Sequence, residues 1–211
     1  MSSDLWIRFS RLAASLKKTT LWSAVVIALC VFLLQGCTAA LVGGVAAGAT
    51  LVHERRHSLT VLEDEHIEHS AAQLLIDNPD IEQHSRISIT SYNYLVLLTG
   101  QAETRQISES FAQKVANLPN VKKVVNEVTI GPSASFARES EDALISSRVK
   151  IALADVDIPG FDLTRIKVVT EEGTVFLMGL VYPREGDAAA QKARYVPGVT
   201  KVVKVFEYIE P

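Results

Sequence analysis

Leu95-Val96-Leu97-Leu98-Thr99-Gly100 and Thr174-Val175-Phe176-Leu177-Met178-Gly179 are two copies of one element, and the fold of this 211-residue chain follows from that fact. The offset of 79 that superposes them also pairs Ile87-Ser88-Ile89 with Ile166-Lys167-Val168. At an offset of 78, Asp64, Ile67, Ala71 and Leu75 fall on Asp142, Ile145, Val149 and Leu153. The same offset of 78 places Leu118-Pro119-Asn120-Val121 on Val196-Pro197-Gly198-Val199, with Lys123 on Lys201. Four blocks in one order define a tandem repeat of about 70 residues per copy.

Periodicity supplies the elements of each copy. Ile67, Ala71, Leu74 and Leu75 recur at helical spacing, as do Ile145, Val149, Ala152 and Leu153. Asp64 and Asp142 lie just ahead of these stripes, where a carboxylate complements a helix N-terminus. Asn78-Pro79 and Ile158-Pro159-Gly160 stop the helices. Residues 86–90 and 165–169 alternate like half-buried strands, and residues 91–94 and 171–173 are turns. The apolar runs 95–101 and 174–181 should therefore pair back as hairpins. A second helix is expected near 104–117 and 185–195, and a last strand over 121–130 and 200–209. Each copy reads α-β-β-α-β, an α+β fold. Gly100 and Gly179, closing the second strands, read as structural glycines that let the chain bend or a second backbone approach.

Ahead of the repeats, Arg8, Arg11, Lys17 and Lys18 precede an uncharged run over 21–34 and then Gln35-Gly36-Cys37. Basic region, apolar region and small-residue cleavage site form a secretory signal. The 14 residues of the run fall short of the roughly 20 a spanning helix needs. Leu34-Gln35-Gly36-Cys37 resembles the bacterial lipobox, which implies cleavage before Cys37 and lipid, palmitate included, on that cysteine. The remaining 175 residues carry 17 basic and 23 acidic side chains, a net charge of −6, which argues against nucleic acid. With Cys30 removed and Cys37 lipidated, no disulfide is available. The uncharged stretch 38–52 reads as a leash, and Gly43, Gly44 and Gly48 also fit a helix-packing pattern. Thr38 is not an inner-membrane retention residue, so the resemblance to lipoproteins implies the inner leaflet of the outer membrane with the body in the periplasm.

The element order, the glycine closing the second strand and the later [LV]-P-x-V-x-x-V resemble the BON domain. Two such units behind a lipobox and a small-residue tether resemble the dual-BON outer-membrane lipoproteins of the DolP type. The resemblance implies a signal peptide over 1–36, a lipidated tether over 37–58, a first BON domain over 59–131 and a second over 132–211. It implies in each domain a three-stranded mixed sheet with helices packed on one face. It also implies a non-enzymatic protein that binds anionic phospholipid through its second domain and supports membrane integrity. The alternative is a periplasmic adaptor docking on an envelope assembly or cell-wall machine.

The residues themselves show no phosphate loop and no nucleophile elbow. His66 and His69, with Glu65 beside them, have chelating spacing, but a solvated helix face accounts for them better, and neither metal nor cofactor is expected. The first unit holds 5 basic and 10 acidic residues and the second 10 and 12, so the second is the better partner for anionic headgroups. On its first helix, Leu144, Arg148 and Ile151 form a stripe beside the core stripe, with Lys150 close by. Aliphatics beside cations make an interfacial pattern, although the same stripe would serve equally to pack against the first unit. By resemblance, Leu144, Arg148, Lys150, Ile151 and Ala154 are the lipid-contacting residues. The family often has an aromatic where Leu144 stands.

The lipobox reading predicts that Cys37→Ala abolishes processing, leaving a full-length chain on immunoblots. Cleavage before residue 37 in that variant would refute it.

Overall fold

Two tight turns set the geometry of both repeats. The computed structural model describes residues 58–132 and 134–210; Cys37, the apolar run before it and the tether lie outside them. Helix α1 (Ser58–Ile76) and a short helix α2 (Pro79–Glu82) precede strands β1 (Ser85–Tyr92) and β2 (Leu95–Ala102). Asn93 and Tyr94, with φ of 55° and 68°, join these strands in a two-residue turn of the left-handed kind that suits a twisted hairpin. Helix α3 (Arg105–Ala116) and strands β3 (Lys123–Asn126) and β4 (Thr129–Ile130) complete the first domain. The second domain repeats the plan with α4 (Phe136–Ala154), β5 (Ile166–Glu171), β6 (Thr174–Val181), α5 (Pro183–Ala193) and β7 (Lys201–Tyr208). Glu172 and Gly173, φ 49° and 75°, form its matching turn.

The aspartates ahead of the apolar stripes do not sit at helix N-termini, as their position suggests. α1 and α4 begin well upstream, at Ser58 and Phe136, and Ser135 caps α4 by accepting a hydrogen bond from Arg138 N at 3.3 Å. Asp64 and Asp142 are buried, and each holds the hairpin turn of its own domain. Asp64 accepts hydrogen bonds from Asn93 N at 2.7 Å, Tyr94 N at 2.8 Å and Ser91 Oγ at 2.7 Å. Asp142 accepts from Glu172 N at 2.8 Å and Gly173 N at 2.9 Å. A charged acceptor on two turn amides is a strong arrangement, and it offsets the cost of positive φ at a residue as large as Tyr94.

In each sheet the central strand pairs antiparallel with one neighbour and parallel with the other: β1-β2-β3 in the first domain, β5-β6-β7 in the second. The last strand of the first domain is broken. β3 and β4 both pair parallel with β2 in one continuous register, with a gap opposite Thr99 and Gly100. Gly100 has φ 104°, and a Cβ there would lie 2.0 Å from Arg86 O; at Gly179 it would lie 2.7 Å from Arg165 O. Neither site admits a side chain without moving the neighbouring strand.

Each sheet buries both faces. Val96 and Leu98 meet Ile67, Ala71, Phe111 and Val115 of the first helical layer. Val175 and Leu177 meet Ile145, Val149, Leu153 and Ala189 of the second. The intervening residues point the other way, and Tyr92, Leu97, Phe176, Met178 and Val205 form one cluster drawn from both sheets. The body is therefore four layers, helix–sheet–sheet–helix. Polar contacts rim the sheet junction: Tyr92 Oη donates to Arg165 O at 3.0 Å, Gln101 Nε2 to Glu171 Oε1 at 2.6 Å, and Lys167 Nζ to Glu68 Oε1 at 2.8 Å.

Asp142→Ala strands two turn amides and should lower the stability of residues 58–211 by about 3 kcal/mol in urea denaturation; an unchanged midpoint would refute the turn-clamp role. Glu171 supplies a pH signature. Burial raises its carboxyl above the ordinary glutamate value, opposed by the Gln101 hydrogen bond. The folded state thus holds this proton more tightly than the unfolded chain. Its contribution is present below the ordinary glutamate value and is lost as pH rises toward the raised one. In Glu171→Gln the fall in denaturation midpoint across that window should flatten; identical slopes would contradict the assignment.

Candidate functional site

Helix α4 packs one side on its sheet, through Ile145, Val149 and Leu153, all fully buried. A 3.6-residue turn then directs Phe136, Ser140, Leu144, Ser147, Ile151 and Ala154 to the opposite side. There Leu144 is 57% exposed, Ile151 70% and Phe136 83%. Ala154, Arg148 and Lys150 are exposed as well, the helical rotation placing Arg148 on one flank of the stripe and Lys150 on the other. The five residues expected to act together thus share one solvent face, and Leu144 and Ile151 do not pack against the first domain. Phe136 escaped the sequence reading because it precedes the expected start of the helix. Its spacing of eight to Leu144, which is seven from Ile151, is the signal that could have found it.

The serine hydroxyls of this face bond back to the helix. Ser140 Oγ donates to Phe136 O at 2.9 Å and Ser147 Oγ to Ala143 O at 3.0 Å, so both hydroxyls are satisfied within the helix. The acids of α4 are engaged elsewhere. Glu139 pairs with Arg86 of the first domain at 2.8 Å, Glu141 with Arg138 at 2.7 Å, and Asp142 holds its turn. Arg148 and Lys150 have no ion-pair partner among the described residues, and their charge remains available along a stripe about 27 Å long.

The duplication provides an internal control. At the offset that superposes the helices, Leu144, Arg148 and Ile151 correspond to His66, Ser70 and Gln73 on α1. The first domain thus carries polar residues at these three central positions, while Leu62 and Ile76, matching Ser140 and Ala154, stand exposed toward the two ends of the same helix face. His66 and His69 are both exposed, His66 Nδ1 lies 3.5 Å from Ser70 Oγ, and no metal-binding cluster of three or more His, Cys, Asp or Glu occurs among the described residues. No helix among the described residues is long and apolar enough to cross a membrane.

A family model for the BON domain matches residues 63–132 and again residues 141–210. The chain belongs to the BON-domain family. The chain is similar to the outer membrane lipoprotein DolP of Haemophilus influenzae, 34% identical over 178 residues, 84% of this chain and 91% of that protein. The 21 kDa hemolysin of Actinobacillus pleuropneumoniae is 36% identical over 156 residues, 74% of this chain and 79% of that one. A solved structure of CdsD, a structural protein of the type III secretion system of Chlamydia trachomatis, is 16% identical. That match covers 69% of this chain and 63% of CdsD with a TM-score of 0.27, which carries no argument.

Proposed function

We propose that the protein is a non-enzymatic outer-membrane lipoprotein, anchored through Cys37 in the inner leaflet with its BON domains in the periplasm. In this reading the outer face of α4 binds anionic phospholipid and supports the integrity of the membrane. The observation that carries it is the exposed pair Leu144 and Ile151, flanked by Arg148 and Lys150, which have no ion-pair partner among the described residues, where the first domain has His66, Ser70 and Gln73 at the positions of Leu144, Arg148 and Ile151. Such a face buries aliphatic side chains among acyl chains while its cations stay at phosphate depth. The similarity to DolP supports the location and the lipid anchor. Acyl anchor and helix would act as two tethered attachments, so that a weak contact at α4 is held by high effective concentration.

Flotation of the unlipidated body with liposomes tests this. Binding should require anionic lipid and weaken as ionic strength rises. Leu144→Asp with Ile151→Asp removes two apolar side chains worth about 1.5–3 kcal/mol each when buried, so binding should fall at least about tenfold. Thermal unfolding of the variant should stay unchanged, since both side chains are exposed. Absence of flotation, or flotation indifferent to the double substitution, would sink the lipid reading. A discrete protein adduct from a photocrosslinker at position 144 or 151, in place of lipid, would favour an adaptor role.

A further inference from the structure

The outer edge of the second sheet has no counterpart in the first. There the strand beside β2 is four residues long before it breaks and resumes as a two-residue piece. β7 runs unbroken for eight residues, paired with β6 on one side and with no strand among the described residues on the other. A long, unbroken edge offers alternate backbone N–H and C=O groups to any extended chain.

Beside this edge, between β7 and α5, lies a groove of about 650 Å³ whose lining includes Arg194, Lys201, Lys204 and one acid, Asp187, with the apolar Val199 and Val202. Lys204 Nζ is paired with Asp187 Oδ1 at 2.9 Å. Arg194 is held in place, its guanidinium 5.1 Å from the centre of the Tyr195 ring and donating to Gln191 Oε1 at 3.3 Å. Arg194 and Lys201 have no carboxylate partner among the described residues. At the equivalent positions of the first domain, Arg194 is Ala116, Tyr195 is Asn117 and Lys204 is Asn126. Only Lys201, matching Lys123, is shared.

We infer that the open edge of β7 and its groove dock an extended acidic segment of a protein partner, which adds as a further strand and sets carboxylates against Arg194 and Lys201. Edge lysines repel apolar strands, and the first domain closes its own edge by a break instead; cations on an unbroken edge admit an acidic strand selectively. The groove lies over the β7 edge, whereas α4, which carries the exposed Leu144 and Ile151, packs over β5. The inference uses none of the residues assigned to lipid, so either reading can fail without the other.

The test uses the full chain in zwitterionic detergent and fluorescein-labelled peptides of alternating Glu and Val, about eight residues to match β7. Fluorescence polarisation should show saturable binding of this peptide and none of its Lys-Val counterpart. Arg194→Glu with Lys201→Glu should weaken binding at least about tenfold, and Lys123→Glu in the first domain should leave it unchanged. N-methylation at alternate residues of the Glu-Val peptide should abolish binding to the unaltered protein, because strand addition needs the peptide backbone. The inference is overturned by absence of saturable binding, by binding that survives the charge reversal or the N-methylation, or by displacement of the peptide by anionic phospholipid vesicles from Leu144→Asp, Ile151→Asp protein.

Discussion

A buried carboxylate on the first helix of each domain, gripping the amides of a two-residue turn, is the contact on which the rest of the domain depends. The turn's N–H groups have no partner within the hairpin ladder, and the buried carboxylates of Asp64 and Asp142 accept from them. The grip also fixes helix rotation. With Asp142 held against Glu172 and Gly173, Ile145, Val149 and Leu153 must face the sheet. Leu144 and Ile151 must then face away. The outward stripe is thus a geometric result of a contact on the inner side of the helix.

The repeat made most of the fold legible, because two noisy readings of one pattern corroborate each other at every element. The order of elements and the hairpins follow from it, whereas the mixed sheet came with the family resemblance and the first helix of each copy begins upstream of its apolar stripe. The role of the aspartates did not, since local spacing makes a carboxylate ahead of an apolar stripe look like a cap. Its true partners lie some 30 residues further on, brought close only by tertiary structure. The sheet-to-sheet contact was half visible. Leu95–Leu98 and Val175–Leu180 are unbroken apolar runs, and such runs mark strands covered on both faces, yet they do not say what covers them.

The candidate site was legible in its residues and not in its surroundings. Leu144, Arg148 and Ile151 could be picked out by spacing, but the same pattern suits a packed interface, and only exposure separates the two. The neutralisation of Glu139 and Glu141 by Arg86 and Arg138 depends on side-chain geometry that spacing does not encode. These surface pairs add little stability. They matter because they leave Arg148 and Lys150 as the cations of the helix with no ion-pair partner among the described residues. Where the two copies agree, the fold is the reason; where they differ, as at Leu144 against His66, the difference belongs to the surface.

The shared cluster of Tyr92, Leu97, Phe176, Met178 and Val205 bears on genetics. Each domain supplies the other with the second half of its hydrophobic interior, so deleting one repeat bares a sheet face in the survivor. A phenotype from such a deletion would report proteolysis or aggregation of an unfinished half-molecule as readily as loss of a particular surface. Point changes on the outer faces are the informative alleles for this architecture.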